Sequence, residues 1–151
     1  MVNKLEDVTI QHFQPENQAD VKDLLLTGLA EHWGSLDPLK NPDLEDIGLT
    51  YARAVFLVAC QQGRVIGTGA LLSRGKETGE IVRMSVAADM RRMGVGSRIF
   101  EKLCTEAKDL GMHHLVLETT ETWQEAIAFY QGFGFQVTHC LHGDVYFRLE
   151  I

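Results

Sequence analysis

Glu80-Ile-Val-Arg-Met-Ser-Val86, then Ala87-Ala-Asp-Met90, then Arg91-Arg-Met-Gly-Val-Gly-Ser97 form one continuous stretch, which reads as a strand entering a glycine-bearing turn that opens a helix. Gly94 and Gly96 let backbone amides turn inward with no Cβ in the way, and the helix adds the partial positive charge of its N-terminus. The amides of Arg92, Met93, Gly94, Val95, Gly96 and Ser97 are expected to form a concave nest suited to a pyrophosphate, with Arg91 and Arg92 adding charge. Two phosphate loops are excluded by their spelling. GxxxxGK followed by Ser or Thr is absent, and GxGxxG is absent because Gly67-Thr-Gly69 runs on into Ala-Leu-Leu within a strand.

The flanking chain supplies the rest of an α/β pattern. Val8–Phe13 alternates as a half-buried strand, and Pro15 opens a helix expected to reach about Ala30. His32–Thr50 is irregular, with room for a short helix. Ala54–Cys60 and Val65–Leu72 pair across a turn at Gln61–Arg64, and Glu80–Val86 follows as a third strand. Gly94–Leu110 is a helix with Ile99, Leu103, Ala107 and Leu110 on one stripe, stopped by Gly111. Leu115–Glu118 is a short strand, Trp123–Phe133 a helix, and Gln136–Leu141 with Val145–Leu149 a closing hairpin. The expected product is a mixed sheet with helices on its faces, formed by residues 1–151 as a single domain.

Composition is that of an ordinary globular chain: 151 residues, 45% hydrophobic, 23% charged and three prolines, which excludes disordered and low-complexity classes. The longest apolar run, Ala54 to Cys60, is far short of the ~20 residues of a membrane helix. The N-terminal MVNKLEDVTIQHF has no apolar h-region, so no signal peptide is expected. Cys60, Cys104 and Cys140 are odd in number and widely spaced, which points to buried free thiols in a reducing cytoplasm. His113-His114 and the His139/His142 pair do not converge, so no metal site is expected. The net charge of −7 resides entirely in residues 1–50, where three lysines face ten acids. Such a chain repels phosphate backbones, so neither nucleic acid nor a membrane is an expected partner.

Arg91-x-x-Gly94-x-Gly96 resembles the Q/R-x-x-G-x-G/A signature of the Gcn5-related N-acetyltransferase (GNAT) superfamily. Ala126-Ile-Ala-Phe-Tyr130-Gln-Gly-Phe-Gly134-Phe135 resembles the A-x-x-x-Y-x-x-x-G-F run that ends that family's fourth helix. The order of elements matches over nearly the whole chain. The resemblance implies an α+β GNAT fold, with a mostly antiparallel sheet of six to seven strands, about four helices and splayed central strands. It also implies acetyl-coenzyme A as co-substrate. The loop amides would hold the pyrophosphate, the backbone of Met84, Ser85 and Val86 would pair with the pantetheine arm, and Tyr130 would lie near the coenzyme sulfur. Many members carry an asparagine three residues before the alanine, touching pantetheine; here that place is Trp123, with Gln124 or Thr122 as substitutes.

Expected roles follow from the chemistry. A departing thiolate needs a proton, which Tyr130 can give. An ammonium must lose one before attack; the resemblance implies a catalytic glutamate at the strand position of Glu80, with Glu118 on the next strand or water as alternatives, and the Met84 amide can donate to the acetyl carbonyl as charge builds there. With no cysteine or serine in Arg91–Gly96 or Ala126–Phe135 to serve as nucleophile, the expected reaction is direct acetyl transfer to a primary amine: a small molecule, a polyamine or a protein lysine. The alternative is a non-catalytic acyl-coenzyme A-binding sensor or docking module. Glu31, Asp37, Asp43, Glu45 and Asp46, with only Lys40 among them, suggest a cationic acceptor. Oligomeric state, a homodimer included, stays open.

Overall fold

In the computed structural model, which describes residues 5–36 and 40–151, the alternating apolar segments pair into one seven-stranded sheet. Its strands are β1 (Val8–His12), β2 (Val55–Gln61), β3 (Arg64–Ser73), β4 (Thr78–Val86), β5 (His114–Thr120), β6 (Gln136–Leu141) and β7 (Asp144–Glu150). Their order across the sheet is β1-β2-β3-β4-β5-β7-β6. Every pairing is antiparallel except β4 with β5, which the crossover helix between them makes parallel.

The helices are α1 (Gln18–Trp33), α2 (Ile47–Thr50), α3 (Val95–Asp109) and α4 (Gln124–Gly132). The period-2 pattern of β2 divides its side chains between the two faces. Phe56 and Val58 join Val21 and Leu25 of α1, whereas Leu57 and Ala59 join Ile99 and Leu103 of α3. The sheet is therefore apolar on both sides, as the unbroken hydrophobic run of β2 requires. Helix α1 follows a 3₁₀ turn at Pro15–Asn17, whose entry is capped by Gln14 N–H donating to Asn17 Oδ1 at 2.8 Å. It extends past Ala30, the expected end, because the left-handed residue that stops it is Gly34 (φ +77°), whose N–H bonds Ala30 O.

Two local expectations are corrected. Leu110 is 60% exposed rather than part of the α3 stripe, because it caps the helix beyond the last turn that packs; Val95 and Phe100 are buried instead. The cysteines are not all buried. Cys60 and Cys104 are partly so, and Cys140 is exposed because β6, the edge strand, is exposed along its whole length.

The feature that positions the site is a bulge in β4. Val82 pairs with Ala70 and Ser85 with Thr68, so Arg83 and Met84 together face only Gly69. Arg83 takes up the extra length in the left-handed region (φ +55°), and its carbonyl accepts from Thr68 Oγ1 at 2.8 Å. Gly69 makes the bulge possible: a Cβ there would lie 2.5 Å from Met84 Sδ and 2.7 Å from Ile99 Cγ2.

Candidate active site

Strands β4 and β5 pair over only three residues, Thr78 to Glu80 against His114 to Val116. Beyond that point β4 keeps its bonds to β3 and β5 its bonds to β7, so the two strands part. The backbone of β4 from the bulge to Val86 is thereby left without a strand on one side, able to pair with an extended ligand. A groove of about 880 Å³ opens there, at the large end of small-molecule sites. It is lined by Met84, Ser85 and Val86, by Arg91, Arg92, Gly94, Val95, Gly96 and Ser97, and by Gln124 and Tyr130 of α4.

The loop into α3 has the geometry of an anion cradle. Arg92 (φ +64°) and Gly94 (φ +92°) are both left-handed, and the first amides of the 15-residue helix have no partner within it. Arg91 is held by its Nε bond to Val86 O (3.0 Å) and an ion pair with Glu31 (2.8 Å); Arg92 pairs with Glu125 (3.1 Å). Two details differ from a nest built of six equal members. The Met93 side chain packs on the core instead of lining the groove. A Cβ on Gly96 would meet the Phe129 ring at 3.4 Å, so this glycine sets the approach of α4 as well as the space for a ligand.

Tyr130 is buried at the inner side of the groove beside Phe129, Phe135 and Phe147. Burial pushes its phenol pKa strongly up, so the hydroxyl keeps its proton at any working pH. Glu80 and Glu118 do not line this groove. They share a second cavity of about 350 Å³ with Asp43, Tyr51, Val82 and Arg83. Glu80 is ion-paired with Arg74 at 2.5 Å, and Glu118 accepts from Tyr146. Strand β4 joins the two cavities, contributing Glu80 to Arg83 to one and Met84 to Val86 to the other.

The sequence of residues 19–135 matches the model of the acetyltransferase (GNAT) family. The chain belongs to the GNAT acetyltransferase family. It is 33% identical over 133 residues to an IAA acetyltransferase of Azospirillum brasilense, covering 87% of this chain and 86% of that one. It is 34% identical over 103 residues to N-acetyltransferase family 8 member 2 of Rattus norvegicus, covering 64% of this chain and only 46% of that protein. Among solved structures, the PaiA N-acetyltransferase from Thermoplasma acidophilum in complex with coenzyme A superposes with a TM-score of 0.85. That match covers 95% of this chain and 99% of the other at 14% identity, a likeness of fold alone. The protein is thus an N-acetyltransferase with the GNAT fold.

Within this GNAT frame, several groove residues escape sequence reasoning. Gly28 of α1 comes close enough that a Cβ would lie 3.1 Å from Ser85 Oγ, which brings α1 onto the groove. Glu31, His32, Thr122 and Trp123 then line it too. Of these, Thr122 and Trp123 stand at the place where the resemblance puts a pantetheine contact, and Glu31 is one of the acids read toward the acceptor, so Gly28 and His32 are the ones with no coenzyme signal in the sequence. Asp37 lies outside the described residues, and the other four acids read as attracting a cationic acceptor are each engaged. Glu31 pairs with Arg91, Asp43 with Arg83 (2.6 Å) and Glu45 with Lys22 (3.1 Å), while Asp46 caps α2 through Leu49 N. Arg83 is the centre of a network: Nε and Nη2 bond Asp43, and Tyr51 Oη donates to the same carboxylate.

Proposed function

We propose that residues 1–151 act as a single domain that transfers the acetyl group of acetyl-coenzyme A directly to a primary amine, whether small molecule, polyamine or protein lysine. The observation that carries this reading is the parting of β4 from β5 directly before the α3 amide cradle, which offers an extended thioester both a backbone edge and an anion site. Acetyl-coenzyme A supplies the activated acetyl group. The amides of Gly94 to Ser97 with Arg91 and Arg92 take the pyrophosphate, Met84 to Val86 pair with the arm, and Gln124 adds a polar contact at the start of α4. The Met84 amide, placed at the bulge, stabilises charge on the acetyl oxygen. Tyr130 passes its proton to the departing sulfur; burial raises the phenol's proton affinity and keeps it protonated until the thiolate leaves.

The proton lost by the amine goes to Glu80, to Glu118 or to water. Both carboxylates face the second cavity, so an acceptor approaching through it reaches the acetyl carbon from the side of β4 opposite the coenzyme. The reading places the protein in the cytoplasm, in keeping with three cysteines without disulfides. The test is thiol release from acetyl-coenzyme A against a panel of primary amines and lysine peptides. Release that depends on acceptor supports transfer. Coenzyme A binding with no turnover on any acceptor would make the chain a binding module instead.

A further inference from the structure

His32 presents an atom that the known chemistry of the groove leaves unused. Its ring lies face to face with Trp123 (centroids 4.2 Å apart, planes 12° apart) and edge-on to Trp33 at 4.6 Å. Both His32 and Trp123 line the groove. Nε2 of His32 is buried and has no hydrogen-bond partner among the described residues. A buried polar atom without a partner is rare in folded proteins, and in a binding groove it marks where a ligand atom belongs.

The neighbouring contacts place this atom along the groove. Glu31 holds Arg91, which bonds Val86 O, and Arg92 holds Glu125. The end of α1 and the start of α4 therefore flank the phosphate cradle, and the His32–Trp123 stack joins them. Tyr130 lies further in, against Phe135 and Phe147. The span between cradle and Tyr130 is where an extended arm carrying amides must pass.

We propose that His32 is a binding residue for the pantetheine arm, exchanging a hydrogen bond through Nε2 with one of its amides while Trp123 holds the ring. The assignment rests on the acetyl-coenzyme A reading above. Either tautomer serves, because an amide offers both a donor and an acceptor. The stack costs the site little flexibility, since the ring is already held before the ligand arrives.

Calorimetry with two probes, coenzyme A and the arm-less fragment 3′-phospho-ADP, tests it. His32→Phe keeps a stacking ring and removes the nitrogen. It should weaken coenzyme A by about 5–20-fold, the scale of one lost hydrogen bond in a dry site, and leave the fragment within about twofold. His32→Gln, whose amide reaches the position of Nε2, should bind coenzyme A more tightly than the Phe variant. Trp123→Leu removes the stack and should show the same arm-selective loss, which keeps the test open where the Phe variant is unstable. Unchanged coenzyme A affinity in His32→Phe, or equal loss for both probes, overturns the proposal. A wild-type protein with no affinity for coenzyme A overturns the underlying reading as well.

Discussion

Tyr130 is the residue at which packing meets the proposed proton transfer. Its ring belongs to the aromatic cluster of Phe129, Phe135 and Phe147, and its hydroxyl is at the groove. Tyr130→Phe keeps the packing and removes the proton donor. It should lower kcat by about 10–10³-fold and leave coenzyme A affinity nearly intact, read by thiol release and calorimetry together. Turnover at the wild-type rate would leave Tyr130 with a packing role alone. The motif Ala126 to Phe135 marked this position in the sequence, because spacing along one helix survives into the fold. The partner of His32 was not legible in the same way, since Trp123 is ninety-one positions away and only the fold brings the end of α1 to the residue before α4.

Strand β4 is the element on which the site is built, and its bulge rests on two supports. Gly69 leaves room for Met84, so Gly69→Ala drives a Cβ into Met84 Sδ, Ile99 and Leu103. A loss of about 1–3 kcal/mol and a fall of several degrees in Tm are expected, measured by thermal melting. The second support is the bidentate Asp43–Arg83 pair, which ties the left-handed Arg83 to the turn before α2. Burial would raise the Asp43 carboxyl, but the Arg83 and Tyr51 hydrogen bonds and the Arg83 charge hold it below its ordinary 3.8.

A carboxylate whose folded pKa is depressed contributes stability above its unfolded value, and that contribution is lost as pH falls through the folded value. Asp43→Asn should therefore cost about 2 kcal/mol at neutral pH, as expected for breaking a half-buried pair. The gap between variant and wild type should shrink below about pH 3.8 in denaturant titrations. A gap that persists unchanged into that range would show that the charge on Asp43 is not what supports the bulge.

At the scale of the whole molecule, charge behaves differently from its distribution along the chain. Of the acids read as attracting a cationic acceptor, Glu31, Asp43 and Glu45 each meet a cation and Asp46 meets a helix amide. Paired charges largely cancel beyond a Debye length of ~8–10 Å. The KM of a cationic acceptor should accordingly change by less than about threefold between 50 and 300 mM salt. A steep rise with ionic strength would show that the first third attracts the acceptor despite its pairing.

The sequence by itself determined the local structure and the glycine-bearing turn that opens α3. The period-2 runs of β2 and β3, the glycine stop after α3, and Arg91-x-x-Gly94-x-Gly96 each act over a few residues, where backbone sterics and hydrogen bonding suffice. Tertiary structure alone decided the bulge at Arg83, the ion pairs that engage Glu31, Asp43 and Glu45, the separation of Glu80 and Glu118 from the groove, and the placement of His32 on Trp123. Each of these depends on contacts between residues distant in the chain, such as Arg83 with Asp43 and Gly69 with Met84, whose energies exist only once α1 and α3 have packed on opposite faces of the sheet.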